Sequence, residues 1–274
     1  MDAPAPDPVQ AQSWLDTFHS FSLPHAIVVL AFILATGASC VLGRRWRGRP
    51  AERMLRLAWA WTTIAWQSAA VVWWLLPRNF DLYESLPIHV CDLAAWIAPL
   101  ALLTQRRWLR TMLYFWGIGL STQAFLTPVL QEGPTYLKFW LFWVGHTQIV
   151  GSAVYDLVVL RYRPTRRDFI TAFTISLVYI LAALAFNIAM HTNYAYVGNS
   201  APDRPTIIDA LGRWPLRVLW LSMIVTVLFL VLWLIWPAAR RAFGLPPGAT
   251  LDPDPPPLRP SPESPSATDA QPAP

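Results

Sequence analysis

Long, uninterrupted apolar runs limit what this chain can fold into. Seven such runs occupy most of the sequence, and each has roughly the 17–25 residues that an α-helix needs to cross a hydrocarbon core. A transmembrane β-strand would be about half as long and would alternate apolar with polar residues. The sequence therefore predicts an all-α, polytopic membrane protein with seven transmembrane helices. The predicted spans are 25–42, 54–76, 87–104, 109–130, 137–160, 169–190 and 216–236.

Arginines recur between alternate runs and predict an orientation. The loops after the first, third and fifth runs are basic, as is the segment after the seventh, and the intervening loops are less so. Short basic loops stay in the cytoplasm. We therefore predict a multi-pass protein of the cytoplasmic (inner) membrane, with its N-terminus outside and its C-terminus in the cytoplasm. The net charge of +5 reflects this orientation signal, so no nucleic-acid partner is expected.

The composition of the chain ends and the cysteine count narrow the organisation further. We predict an extracytoplasmic segment over residues 1–20, a helical domain over 21–240 and a disordered, proline-rich cytoplasmic tail over 241–274. The N-terminus lacks the features of a cleavable signal peptide. Cys40 and Cys91 are too few for a disulfide scaffold, and no zinc-binding spacing is present. No metal or cofactor is expected.

Polar side chains inside apolar runs indicate where function resides, because burying them in a membrane is costly. Most of them fall, by predicted depth, in the outer half of the spans. This distribution predicts a polar, water-accessible cavity that opens outward between spans three, four, five and six. The alternative is that these groups hydrogen-bond to each other and hold the helices together. The main residues are His25, Gln67, His89, Cys91, Asp92, Gln123, His146, Asn187, His191 and Tyr194.

Two of these groups have the chemistry of a nucleophile and a base. His146 lies near the middle of the fifth predicted span, and a neutral imidazole can act as a general base. Cys91 needs such a base or a nearby cation to become a nucleophile. It lies roughly 200° around the helix from His89, so a pair with His146 across two helices stays open. Gly145 predicts that a neighbouring backbone approaches closely there.

Several ordered motifs resemble a known family. The stretches LPIHVCDL (86–93), YFWG (114–117) and QAFLTP (123–128) resemble the bacterial YwaF-like integral membrane proteins over about residues 18–237. A more distant resemblance is to a eukaryotic transmembrane acyltransferase, which moves arachidonoyl chains onto ether phospholipids with a cysteine and a histidine. His146 matches that histidine. The cysteine of that family directly follows the proline, where this chain has Ile88, and Cys91 comes three residues later.

The resemblance implies an enzyme that acts on membrane lipid through a Cys/His pair. Cys91 would attack an acyl ester, His146 would be the base, and His89 is the third candidate catalytic residue. A second hypothesis is a receptor, sensor or carrier that binds a small molecule in the same cavity without catalysis. A third is a structural or assembly protein. The candidate substrate-binding residues are Asp92, Gln123, Asn187, His191, Tyr194 and His25.

Overall fold

The computed structural model describes residues 15–199 and 207–242. The start of the predicted N-terminal segment, part of the long loop before the last span, and the proline-rich tail from residue 243 lie outside the described residues. Within them the chain is helical and contains no strand, only an isolated bridge between Thr17 and Glu132. The α-helices are α1 (Leu23–Arg45), α2 (Pro50–Leu75), α3 (Val90–Thr104), α4 (Arg107–Met112), α5 (Leu137–Val158), α6 (Arg166–Met190) and α7 (Leu216–Ala242).

In the part of the chain that the structure describes, three helices are long and apolar enough to cross a membrane by length and composition. They are α1, α6 and the stretch Leu216–Ala239 of α7. The remaining helices are shorter or more polar, and α3 is a short apolar helix. Large apolar side chains such as Ile33, Val178, Leu181 and Leu219 are exposed on the three long helices. Exposed apolar faces of this kind are suited to contact with lipid, so the class predicted from the sequence, a helical membrane protein, is supported.

The third and fourth predicted spans differ from the helices that form. The third begins at Val90 rather than at residue 87, because Asp92 accepts a hydrogen bond from the His89 N–H (3.0 Å) and caps the helix. At 15 residues, α3 is about 22 Å long. The fourth continues from α4 into a π-helix (Leu113–Leu120) and a 3₁₀-helix (Ser121–Phe125). It stops short of residue 130, and Pro128 follows its end.

Successive helices run in opposite directions, which gives the bundle two ends. At the end where α1 starts, here called the upper end, the Phe18 N–H donates to the Gln131 carbonyl (2.7 Å) just before α5. At the opposite, lower end, Arg47 donates to the carbonyl of Val159 (3.0 Å) just after α5. The π-helix, α3 and α5 pack around a core of Ala94, Phe115, Ile149 and neighbouring residues, and side chains from α6 and α7 join it.

Candidate functional site

Buried polar side chains occur at both ends of the bundle, and those at the lower end include two carboxylates that the sequence analysis did not single out. Asp156 is buried at the lower end, and both of its carboxylate oxygens accept from Arg110 Nε (2.9 and 3.0 Å). Asp168 is also buried there and pairs with Arg107 (2.5 Å). The sequence shows the arginines as an orientation signal. It does not show which of them face a carboxylate on another helix.

At the upper end, the predicted residue His89 lies under the segment that follows α6. Its Nδ1 accepts a hydrogen bond from the Ala195 N–H (3.3 Å), so in the neutral ring the proton sits on Nε2. The Tyr194 and Tyr196 rings lie with centroids 4.9 and 5.7 Å from the imidazole. Burial, together with the nearby Cys91, raises the pKa of Tyr196 to about 12, and its phenol therefore remains a hydrogen-bond donor at neutral pH.

Cys91 has a partner that the sequence did not suggest. The Ser121 hydroxyl donates to the Cys91 Sγ at 3.6 Å, within the range for a hydrogen bond to sulfur. Ser121 is fully buried and is the first residue of the 3₁₀-helix, where the π-helix ends. π-helical turns are frequently found at functional sites. The available signal was a pair of hydroxyl residues, Ser121 and Thr122, between Leu120 and Gln123 in a predicted membrane span.

His146 is held in one tautomer by its own helix. Its Nδ1 lies 2.8 Å from the Phe142 carbonyl oxygen, which can only accept. In the neutral ring Nδ1 therefore carries the proton and Nε2 is the free acceptor. The Phe142 ring also packs on the imidazole, with centroids 4.3 Å apart. A histidine oriented by a carbonyl in this way has the form of a general base.

The depth of His146 matches that of Ser121 on the facing helix. His146, Ile149 and Ala153 share one face of α5, and the lower two border Gly117 of the π-helix. A Cβ placed on Gly117 would lie 3.1 Å from Ala153 and 3.6 Å from Ile149. Ser121 is about one turn above Gly117, and His146 is about one turn above Ile149. The fold thus brings Cys91, Ser121 and His146 to one level, although no hydrogen bond joins Cys91 to His146 among the described residues.

Asn187 and Tyr194 were both predicted to bind substrate. They hold the segment after α6, residues 192–198, which lies over His89 and is here called the covering segment. Asn187 Oδ1 accepts from Thr192 Oγ1 and from the Tyr194 N–H, and Nδ2 donates to the Tyr194 carbonyl, each at 2.8 Å. The Tyr194 hydroxyl donates to the Leu82 carbonyl (2.6 Å) and accepts from the Leu86 N–H (3.1 Å). Both side chains are buried, and these bonds tie the end of α6 to the segment before α3.

The other predicted residues lie apart from this cluster. His25 is buried near the start of α1, where Nδ1 accepts from the Phe21 N–H (2.9 Å) and Nε2 donates to the Phe125 carbonyl (3.1 Å). Both of its ring nitrogens are therefore used, Nδ1 in the turn that precedes α1 and Nε2 in joining α1 to the 3₁₀-helix. Gln123 and His191 are exposed. Gly145 makes no close approach, since a Cβ there would meet nothing within 4 Å.

Taken together, the upper half holds a thiol with a hydroxyl donor, an imidazole with a free acceptor nitrogen at the same depth, and a covering segment whose Ala195 and Tyr196 contact His89. A thiol and a base are the groups that covalent acyl transfer requires. Among the described residues no group of three or more His, Cys, Asp or Glu is placed to hold a metal ion.

Comparison with known proteins adds a family and one relative. A sequence model of the TMEM164 family matches residues 20–233 of the chain. An uncharacterized protein of Treponema pallidum (strain Nichols) is 32% identical over 114 residues, which cover 42% of this chain and 48% of the relative. The match thus spans about half the length of that relative. No solved structure matches the chain.

Proposed function

Because the chain belongs to the TMEM164 family, we propose that it is a membrane enzyme that transfers acyl chains between lipids through a cysteine thioester. The observation that carries the proposal is the hydrogen bond from the buried Ser121 hydroxyl to the Cys91 sulfur, at the depth of His146. A hydroxyl that donates to sulfur stabilises a thiolate. Membership of this family supports action on membrane lipid. We propose in addition that the chain is related to the YwaF-like proteins.

The proposed reaction has two halves that balance without an oxidant or cofactor. In the first, His146 Nε2 takes the thiol proton and the Cys91 sulfur attacks the ester carbonyl of a donor lipid. The sulfur–carbon bond forms, the ester carbon–oxygen bond breaks, and the lysolipid leaves with the proton from His146. In the second, the hydroxyl oxygen of an acceptor lysolipid attacks the thioester carbonyl, the new ester carbon–oxygen bond forms and the sulfur–carbon bond breaks. The hydroxyl proton passes through His146 to the departing Cys91 sulfur, which restores the thiol.

Residues around this pair have supporting roles in the proposal. The His89 Nε2–H is directed by the bond that Ala195 makes to Nδ1, and it is the candidate donor to the developing oxyanion. Asn187 and Tyr194 hold the covering segment in place through their buried hydrogen bonds. Asp92 acts as the cap of α3, and so it contributes by fixing the position of Cys91, one residue before it.

We also propose that the chain crosses the cytoplasmic membrane seven times with its N-terminus outside. Exposed arginines at the lower end support this orientation, because the positive-inside rule places such residues in the cytoplasm. They are Arg44, Arg45, Arg49, Arg53, Arg106, Arg166 and Arg167. Reporter fusions after α1 and after α7 would then be active on the cytoplasmic side, and fusions after α2 and α6 would be active on the outer side. The opposite pattern would overturn the orientation.

The test uses the full chain reconstituted in vesicles with a phospholipid that carries an isotope-labelled acyl chain, plus an unlabelled lysophospholipid acceptor. Wild type should move the label to the acceptor, and intact-protein mass spectrometry should find a hydroxylamine-sensitive acyl adduct on Cys91. Cys91→Ala should abolish both signals, and Cys40→Ala is the matched control that keeps them. His146→Ala should slow transfer by about 10²–10⁴-fold, as expected for loss of a general base.

Two results would refute the enzyme. One is transfer by Cys91→Ala at the wild-type rate. The other is saturable lipid binding by both wild type and Cys91→Ala with no thioester and no transfer in either, which would favour the receptor or carrier instead. Ser121→Ala tests the role of the hydroxyl that donates to Cys91. We expect this variant to form the thioester more slowly and to bind lipid as wild type does.

A further inference from the structure

Gln67 carries a buried amide in the upper half of α2. The residue is 8% exposed, and among the described residues neither its side-chain oxygen nor its nitrogen makes a hydrogen bond. A glutamine amide has two N–H donors and an acceptor oxygen, and leaving such a group buried and unpaired lowers stability. Gln67 therefore does not hold helices together through hydrogen bonds, and its donors are available to a ligand.

The side of α2 that carries Gln67 faces the interior of the bundle. Buried residues on this stretch of α2 are spaced three and four apart and so share one face: Ala60, Thr63, Gln67 and Ala70. Ala60 belongs to a buried cluster with Leu102 of α3 and Tyr155 of α5. Gln67 lies about two turns above Ala60 on that face and is thus directed toward α3 and α5.

A contact between α2 and α3 sets the depth of Gln67 relative to Cys91. Arg56 Nη1 donates to the Leu102 carbonyl, and the two helices run in opposite directions. Gln67 comes eleven residues after Arg56, and Cys91 comes eleven residues before Leu102, so each lies about 16 Å above this contact. Eleven residues make about three turns, so Cys91 also shares a face of α3 with Leu102. Gln67 and Cys91 therefore lie at one level of the interface between α2 and α3.

A contact between α2 and α5 gives the same depth relative to His146. Trp59 Nε1 donates to Ser152 Oγ (2.9 Å). Gln67 lies about 12 Å above Trp59, and His146 lies about 9 Å above Ser152. Helical side chains lean toward the start of their own helix, which is the lower end for α2 and the upper end for α5, so this small difference closes. Two separate contacts thus place the unpaired amide at the depth of the thiol and the base.

We propose that the Gln67 amide donates a hydrogen bond to the ester carbonyl oxygen of the acyl-donor lipid while Cys91 attacks the carbonyl carbon. The inference rests on the acyl transfer proposed above and adds a second donor to the His89 Nε2–H. As the sulfur–carbon bond forms, an electron pair of the carbonyl double bond moves to the oxygen, and an N–H already directed there stabilises the charge. When the carbonyl re-forms, the lysolipid oxygen leaves with the proton from His146. The amide keeps its protons throughout, so Gln67 affects the rate without taking part in proton transfer.

Gln67→Met tests this role, because methionine fills nearly the same volume and has no N–H donor in its side chain. In the vesicle assay with labelled donor lipid, the variant should form the Cys91 thioester about 10²–10³-fold more slowly at saturating donor, as expected for losing one oxyanion donor. The donor concentration at half-maximal rate should change little. The midpoint of unfolding by SDS should equal or exceed that of wild type, because no hydrogen bond is lost and an unpaired amide is removed.

Gln105→Met is the matched control, with the same replacement at the lower end of α3. Gln105 Nε2 donates to the carbonyls of Ala101 (3.2 Å) and Leu102 (3.1 Å), so here methionine should lower the SDS midpoint and leave the thioester rate at the wild-type value. Thioester formation by Gln67→Met at the wild-type rate overturns the proposal. So does an SDS midpoint that falls as far as that of Gln105→Met, since this would assign Gln67 a structural hydrogen bond.

A binding measurement separates this inference from the proposed enzyme. In the Cys91→Ala background, native mass spectrometry of the full chain compares retention of a diacyl phospholipid with that of its dialkyl ether analogue, which has no ester carbonyl. Cys91→Ala should prefer the diacyl lipid by about twofold to tenfold, the size of one hydrogen bond, and adding Gln67→Met should remove the preference. That result with no transfer by wild type refutes the enzyme and leaves the carbonyl contact standing. Equal retention of both lipids by Cys91→Ala overturns the contact even where wild type transfers the label.

Discussion

Replacing Arg110 with alanine should destabilise this protein far more than replacing Arg107, its neighbour one turn away on α4. Both arginines reach a buried aspartate on another helix, and both guanidinium groups lie over the Tyr162 ring, with centroid distances of 5.2 and 5.7 Å. The two pairs differ in exposure, because the Arg110 side chain is 18% exposed and the Arg107 side chain is 58% exposed. They differ also in the hydrogen bonds that the aspartate keeps when the arginine is removed.

The structure sets the size of the difference. Asp156 is 2% exposed, and among the described residues its carboxylate accepts only from Arg110. Arg110→Ala therefore leaves a buried, unpaired charge, which costs about 3–5 kcal/mol. Asp168 keeps its bonds from Thr165 Oγ1 and the Thr165 N–H, both 2.7 Å, after Arg107 is removed. Since Arg107 is also largely solvated, Arg107→Ala should cost about 1 kcal/mol or less.

Unfolding of the purified chain by SDS in mixed micelles, followed by circular dichroism, measures both effects as free energies. The double variant Arg110→Ala/Asp156→Ala removes the unpaired charge, so it should recover at least about 2 kcal/mol relative to Arg110→Ala alone. Equal costs for Arg110→Ala and Arg107→Ala would refute the argument from burial. So would a double variant no more stable than Arg110→Ala.

Three further substitutions test particular contacts. Gly145→Ala should leave stability unchanged or raise it by about 0.5–1 kcal/mol, because nothing lies within 4 Å of the added Cβ and alanine favours the helix. Gly133→Ala should lower the melting temperature, because the added Cβ would clash with the Leu15 carbonyl oxygen. A lower melting temperature for Gly145→Ala than for Gly133→Ala would contradict the packing described. Asn187→Ala should cost about 2–4 kcal/mol through lost buried hydrogen bonds and speed amide exchange at Tyr194. Unchanged exchange there would show that Asn187 does not hold the segment.

The elements of this fold could largely be predicted from the sequence, because hydropathy and helical periodicity are local properties. The predicted start of the fifth span, at residue 137, and the ends of the third and sixth, at residues 104 and 190, coincide with helix boundaries. The π-helix of Leu113–Leu120 was not predicted, since it depends on how that segment packs against α3 and α5. The sequence also indicated the candidate residues Cys91 and His146 from their chemistry and predicted depth.

Partners across helices could not be predicted in the same way, because they depend on how each helix is rotated about its axis. Rotation alone decides that Ser121 faces Cys91, that Arg110 faces Asp156, and that His25 Nε2 meets the Phe125 carbonyl. The sequence by itself determined a helical membrane protein whose arginines mark one end. The tertiary structure decided which of those arginines neutralise buried carboxylates and which polar groups gather around the cysteine, because side chains far apart in the chain meet only when the helices pack.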